Sequence, residues 1–394
     1  MPRHVVDPKD ERSAYSPGQS VSFTISGSDS EMLIPRVRLV GRVFFTGTGA
    51  KGTMTLPSNL GAHALIRSLY VSSARRSNIL NIIEYPRYMA LCRAGTRPED
   101  RFSDADDLSS PSMSISRGQI SSAVGPVSGA GASSASTAIP FSIELEQLNA
   151  GLFNRQLPFA KFGNFEVQIS LSSAAEAMTQ DAGNIDCSFT VAELSLCYNT
   201  APVVGTPSTI MQPQTFIRPE VQRLELEGSR MTITQPYTQT LISAGIIFTR
   251  QTSLNNVAAC QSLTEAPPGL ESVKFSMLGE DMQQYDVVIQ DAYAAQAQTG
   301  FFMALLGAGL PITIADSVVA RASAGDLRWR FANTDVGLGS SVLPINGVGV
   351  PDSYGLGIAF PPAGANGNLA VSLEWTPGAT SFTAHLVLFY LSSV

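Results

Sequence analysis

The six residues GTGAKG put Gly47, Gly49 and Gly52 at the spacing of a phosphate-cradling loop, with Lys51 inside it. A dinucleotide site of that kind needs the loop to open a helix whose N-terminal amides hold the pyrophosphate. Here the continuation is TMTLP, a β-like segment ending in Pro57, and RVFF precedes it. The pattern predicts a hairpin turn and no nucleotide site. The three histidines, His4, His63 and His385, lie far apart, and no pair has metal-ligand spacing. His385 falls inside the alternating stretch FTAHLVLFY and is expected to be a half-buried strand residue rather than a base. No serine occupies a G-x-S-x-G elbow. Glu99, Asp100, Asp104, Asp106 and Asp107 in PEDRFSDADD are hard oxygen donors. The segment lacks the glycine and distal Glu of an EF-hand loop, so a solvated acidic loop over 98–107 is the first expectation and a calcium site the second. These residues predict no enzyme, no cofactor and no metal.

Charge and cysteine usage narrow the classes further. Lys+Arg number 25 against 32 Asp+Glu, for a formal net charge of −7. That balance argues against electrostatic capture of nucleic acid, which needs clustered Lys and Arg. Arg75-Arg76 in SSARRSN reads as a solvated turn. Charged residues make up only 14% of the chain, well below the usual figure of about 25%. A polar, uncharged surface accounts for this, and so does a surface covered by copies of itself, because interface cores are depleted in charge. Four cysteines do not make a disulfide framework in a chain of 394 residues. Cys187 and Cys197 lie in one strand-like segment, roughly 33 Å apart if extended, which is too far to bridge. A reducing place of assembly is expected. The first twenty residues carry no apolar run of the signal-peptide kind. The uncharged stretch 299–315 is too short to span a membrane and contains Pro311, so it reads as buried core.

The elements that must position any site are strands. Period-2 alternation recurs at Val21-Phe23-Ile25, 35–45, Leu69-Val71, Phe141-Ile143-Leu145 and Phe165-Val167-Ile169-Leu171. It continues through 244–250, 272–278, 285–290, 327–331, Leu369-Val371-Leu373-Trp375 and 382–390. Strands with Gly/Pro/Asn punctuation and little helical periodicity predict an all-β fold of sandwiches or jelly rolls. In NIDCSFTVAELSLCYN the apolar residues sit at odd positions through Val191 and then at even ones, a slip that predicts a β-bulge. Helix is expected only near Ile79, Ile82 and Ile83, where Pro86 interrupts it or restarts it at PRYMALC, and in the Ala-rich stretch 290–306. Residues 118–138 read as a long loop of small residues. Pro202, Pro207, Pro213 and Pro219 mark a boundary that divides the chain into two β-domains of matched size, with no readable repeat.

The stretch 139–171, IPFSIELEQLNAGLFNRQLPFAKFGNFEVQISL, places a knot of apolar residues between two alternating segments. This order of features resembles the first barrel of the double jelly-roll major capsid proteins, the lineage of adenovirus hexon, tailless membrane-containing phages, virophages, Polinton-like viruses and adintoviruses. The matching residues are Gly151, Leu152, Phe153, Leu157 and Pro158, followed by NFEVQISL. Segments 59–92 and 187–203 resemble, in the same order, the family's strand-turn-helix before its first long loop and the strand that closes its first barrel. The resemblance covers residues 15–205; over 206–394 it rests on length, strand content and the closing strand AHLVLFYLSSV.

The resemblance implies two consecutive eight-stranded jelly-roll barrels with short helices in the loops. The expected layout is an N-terminal arm at 1–18, a first jelly roll at 19–200 with a tower loop at 94–138, a Pro-rich linker at 201–218 and a second jelly roll at 219–394. Gly151, Leu152, Phe153, Leu157, Pro158 and Phe159 would form a buried structural crossing in the first barrel. The implied function is that of a major capsid protein, a homotrimer forming pseudo-hexameric capsomers that tile an icosahedral virion shell and are assembled inside the host cell. Its implied partners are neighbouring capsomers, penton or minor capsid proteins and an internal membrane under the N-terminal arm, with no sequence-specific nucleic-acid binding. The alternatives are a β-sandwich carbohydrate-binding or adhesin protein, for which Trp329 and Trp375 would have to leave the core, and a minor capsid protein.

Overall fold

The heptapeptide FEVQISL shows how these residues become strand. Phe165, Val167, Ile169 and Leu171 are buried while Glu166 and Gln168 are exposed, the two faces of one pleat. A computed structural model of the chain describes residues 2–49, 54–55, 60–94, 139–146, 148, 150–177, 179–180, 184–203, 213–236, 240–250, 267, 269–286, 307–310, 355–360, 367–376 and 382–393. The acidic loop 98–107, nearly all of the expected tower at 94–138, the stretch 290–306, Cys260, Trp329 and the side chain of Cys187 lie outside the described residues.

The first half contains β1 (Arg3–Val6), β2 (Ala14–Tyr15), β3 (Ser20–Ile25), β4 (Glu31–Gly49), β5 (Met54–Thr55), β6 (Ile66–Ser73) and β7 (Arg76–Ile82). Helix α1 (Tyr85–Ala94) follows, then β8 (Ile139–Glu144), β9 (Leu157–Pro158), β10 (Phe165–Leu171), β11 (Thr179–Gln180) and β12 (Asn184–Pro202). The second half contains β13 (Thr215–Leu224), β14 (Arg230–Pro236), β15 (Thr240–Arg250), β16 (Leu270–Met277), β17 (Glu280–Asp286), β18 (Gly355–Ala359), β19 (Asn368–Trp375) and β20 (Phe382–Ser393).

Every pairing is antiparallel, and the order is the same in both halves. The first half pairs β1-β12-β4-β8 in one sheet and β3-β10-β6-β7 in the other. The second half pairs β13-β20-β15-β18 and β14-β19-β16-β17. Counting principal strands along each half, both read 1-8-3-6 in one sheet and 2-7-4-5 in the other. The small strands β2 and β9 add to β12 and β4. Within the first half, Phe23, Leu69, Leu80 and Val167 of one sheet share a core with Leu39, Val43, Phe189 and Leu196 of the other. In the second half, Phe275, Val371, Leu373 and Trp375 pack with Ile246, Leu386 and Leu388.

Four expectations change. Much of the supposed arm at 1–18 is sheet: Val5 pairs with Cys197, and Ala14-Tyr15 pair with Ala192-Val191. The glycine-rich segment is not closed as a simple hairpin, because β5 pairs with β11 rather than with β4. Ile79 and Ile82 belong to strand β7, and the helix starts only at Tyr85, with Pro86 in its first turn, where a missing N–H costs nothing. The edges of the 201–218 segment are paired as well, through Pro202 to Glu31 and through Thr215 to Ser393; Pro219 is tolerated because β13 is an edge strand. The phase slip in β12 is a bulge: register shifts between Ala192 and Ser195, with Glu193 at φ 51°.

Alternation makes a direct prediction. Leu373→Ala, at a buried position of β19, should cost about 2–5 kcal/mol in chemical denaturation. Thr232→Ala, on the wet side of neighbouring β14, should change stability by no more than about 0.5 kcal/mol.

Candidate functional site at the seam between the halves

The central strands of the β13-β20-β15-β18 sheet are dry on both faces over residues 382–390 and 243–249. Ala384, Leu386 and Leu388 of β20 point into their own barrel. The intervening His385, Val387 and Phe389 point out of it, yet all three are fully buried. Two cross-strand rows define this outward face: Val221-Val387-Gly245-Gly357, and Arg223-His385-Ile247-Gly355. Ile217, Val221, Ile247, Val387 and Phe389 belong to one continuous apolar cluster with the first half's core. The first half is therefore what covers this sheet.

Helix α1 is one of the elements that cover it. Tyr85, Tyr88, Met89, Leu91 and Cys92 are buried, and Leu91 lies over Gly245, 3.7 Å from where a Cβ would stand. The turn that follows β8 is a second. Its 3-10 segment, Leu152–Asn154, is followed by β9 and a short helix, Phe159–Phe162. The Ile217 amide of β13 donates to the Ala150 carbonyl at 2.8 Å, so a main-chain hydrogen bond joins the two halves at this turn. At the far end of the seam, an Arg76 guanidinium nitrogen donates to the Ser393 carbonyl at 3.3 Å.

All six residues of the expected crossing are buried. Leu152 and Phe153 fill the 3-10 turn, Leu157 and Pro158 pair with Leu33 and Met32 of β4, and the Phe159 ring sits on Gly27, where no Cβ would fit. Gly151 is required for a similar reason. Its φ is an ordinary −74°, but a Cβ there would overlap the carboxyl group of Glu146. That carboxylate, 2% exposed, accepts the Phe153 amide at 2.7 Å through Oε2. Its Oε1 has no hydrogen-bond partner among the described residues. Burial pushes the Glu146 pKa up to about 8, against the lowering effect of the Phe153 amide.

Glu146 belongs to a buried polar cluster that sequence reading did not find. Tyr85 donates to the Leu145 carbonyl at 3.1 Å, and its oxygen lies 3.0 Å from Nδ1 of the buried His63. The Tyr88 phenol is held well above its usual value by burial, with the Cys92 thiol and Glu146 adding to the effect. His385, read as half-buried, is fully buried, and neither ring nitrogen has a hydrogen-bond partner among the described residues. Burial holds its pKa well below the usual value, helped by the positive charges of Arg87 and Arg223. Tyr198 stacks on His4 at 4.9 Å and fixes the first strand. The described residues contain no group of three or more His, Cys, Asp or Glu placed to hold a metal, and no described helix is long and apolar enough to cross a membrane.

No protein-family model matches the chain, and no curated protein matches it in sequence. Solved structures do match it over its whole length. It is similar to the PBCV-1 virus capsid at TM-score 0.56 and 11% identity, covering 100% of this chain and 94% of that one. It is similar to a chain of the Sputnik virophage at TM-score 0.52 and 10% identity (100% and 86% covered), and to the Faustovirus major capsid protein at 0.51 and 8% (100% and 89%). The chain has the double jelly-roll fold. In a double jelly roll the seam described here joins one barrel to the next, and the buried cluster belongs to that joint.

Two outcomes follow from this packing. Phe153→Ala and Leu157→Ala should each cost about 2–5 kcal/mol in thermal or chemical denaturation. His385 must fold neutral, so its contribution is complete above the unfolded value of 6.5 and declines as pH falls below it. Melting between about pH 7 and about pH 4 should show that decline, and His385→Leu should flatten it.

Proposed function

We propose that this chain is a major capsid protein, three copies of which form a pseudo-hexameric capsomer of an icosahedral virion. The observation that carries the reading is an asymmetry between two equivalent faces. In the second barrel the outward face of the 1-8-3-6 sheet is buried by the first barrel. On the equivalent face of the first barrel, crossed by the row Val5-Cys197-Arg38-Glu144, no barrel of the same chain is seated among the described residues, although Cys197 is 5% exposed and the Arg38 and Glu144 side chains 21% and 18%. Val5 is 60% exposed, and the Arg42 and Glu193 side chains are 52% and 66% exposed. A second copy that seats its own second barrel there repeats the internal seam head to tail, and such contacts build rings when the rotation closes. Three two-barrel chains give six barrels per ring.

Support also comes from the similar folds, which belong to capsid and major capsid proteins. The chain acts by packing rather than by chemistry: it is not an enzyme, its partners are its own copies, neighbouring capsomers and penton or minor proteins, and its place is the virion. The carbohydrate-binding reading loses support because Trp375 is 1% exposed and forms part of the core.

Native mass spectrometry of the purified 41.8 kDa chain should give a trimer, with a pseudo-hexagonal outline in electron micrographs. A monodisperse monomer at micromolar concentration under all assembly conditions would sink the proposal. Val5→Asp together with Arg42→Glu should break the trimer while the monomer's stability shifts by no more than about 1 kcal/mol.

A further inference from the structure

The turn that receives the second barrel is built around an acid with no counter-charge among the described residues. Glu146 lies on Gly151, with space for a carboxyl and none for a Cβ between them. One oxygen accepts the Phe153 amide, and the other has no hydrogen-bond partner among the described residues. Facing it from α1 is the Tyr88 phenol, with the Cys92 thiol beside that. Tyr85 and His63 close the cluster. The 150–154 turn holds Glu146 through the Phe153 amide, β13 reaches that turn through the Ile217 amide, and the neighbouring Leu145 amide donates to the Val37 carbonyl of β4. The nearby guanidiniums of Arg36 and Arg38 engage Glu144 instead, at 3.8 and 3.6 Å. No described cation pairs with Glu146. An ionised carboxylate in such a place costs far more than a neutral acid.

We propose that Glu146 is a protonation latch on the seam: as the neutral acid it shapes the 150–154 turn that binds β13, and as the carboxylate it releases that turn. Ionisation strengthens the Phe153 bond itself, so release is driven by the carboxylate's need for water, and it reaches the second barrel through three bonded steps. The carboxyl holds the Phe153 amide, the turn fixes the Ala150 carbonyl, and that carbonyl accepts the Ile217 amide of the second barrel. The sign follows from linkage. Exposed, the group ionises near 4.5; buried, it keeps its proton to about 8. Closure is therefore most favourable below the lower value and weakens progressively as pH rises to the upper one. Above it, the closed turn would hold a buried carboxylate with no partner cation among the described residues. The latch is a property of one chain and does not depend on the capsid reading; a chain that stayed monomeric would show it equally.

The test compares the full-length chain with Glu146→Gln, whose amide oxygen can still accept from Phe153 but cannot ionise. Amide exchange at Phe153 and Ile217, corrected for intrinsic rates, is followed from about pH 5 to about pH 8. In the wild-type chain the local opening constant should rise by about tenfold per pH unit, with a parallel fall in Tm. In Glu146→Gln both should be flat, and Tm at the alkaline end should exceed that of the wild type. Equal pH slopes in the two proteins would overturn the proposal. If the glutamine variant fails to fold, infrared spectra of wild-type protein carrying carbon-13 glutamate decide the matter. A protonated carboxyl band present at neutral pH and lost near 8 supports the latch, and its absence at neutral pH overturns it.

Discussion

A sheet that is apolar on both faces cannot stand at a protein surface. The β13-β20-β15-β18 sheet is such a sheet along its central strands, with Leu386 and Leu388 on one side and His385, Val387 and Phe389 on the other, all fully buried. The hydrophobic effect then requires a cover of matching shape, and the first barrel supplies it with α1 and the 150–154 turn. Much else follows from that requirement. Leu91 lies on Gly245, Gly151 makes way for a carboxyl group, and β13, an edge strand, is tied across by its Ile217 amide. The two barrels therefore share one buried seam rather than sitting as beads on a linker.

The low charge of the chain takes on structural meaning in this light. The outward rows of the 2-7-4-5 sheets are rich in small hydroxyl and amide side chains: Ser20 beside Ser170, Ser22-Gln168-Tyr70-Asn81, and Thr232 beside Ser372. Such side chains are cheaper to desolvate than Lys or Glu, although the ion pairs Lys9–Glu166, Arg230–Glu374 and Lys274–Asp281 lie on the same sheets. Two of the buried ionisable groups, Glu146 and His385, favour their neutral forms. Together they give the seam a range of pH in which it holds best, bounded by one group on each side.

Much of the strand pattern could be read from the sequence, because period-2 alternation is a local signal. FEVQISL, LAVSLEW and the slip inside NIDCSFTVAELSLCYN each carry their own evidence. The apolar knot of Gly151, Leu152, Phe153, Leu157, Pro158 and Phe159 was also legible, since so much apolar surface in a connection must be covered. What covers it was not legible. The contact of Leu91 with Gly245 and the placing of Glu146 over Gly151 depend on residues brought together by topology, and no spacing rule encodes them. The first strand was missed because RHVV is only four residues long and is followed by DPKDER, which reads as an arm. NILNI was misread because Ile79 and Ile82, at helical spacing, also fit a half-buried edge strand ahead of a real helix. The repeat of strand order in the two barrels left no trace, because topology is set by which faces are apolar and not by which residues make them so.

The cross-barrel bond at Ile217 also has a temporal side. On a growing chain the first barrel can close once β12 is made, since β12 pairs with both β1 and β4. The next described strand to emerge is β13, whose only sheet neighbour among the described residues is β20, made much later. During synthesis of almost the whole second half, β13 has no partner in its own sheet, and an unpaired strand of this kind invites aggregation. The finished first barrel offers it a place to wait: an apolar bed beside α1 and a carbonyl already aimed at its backbone. In this way the seam acts as a template, and the first barrel serves as the second one's chaperone within the same chain.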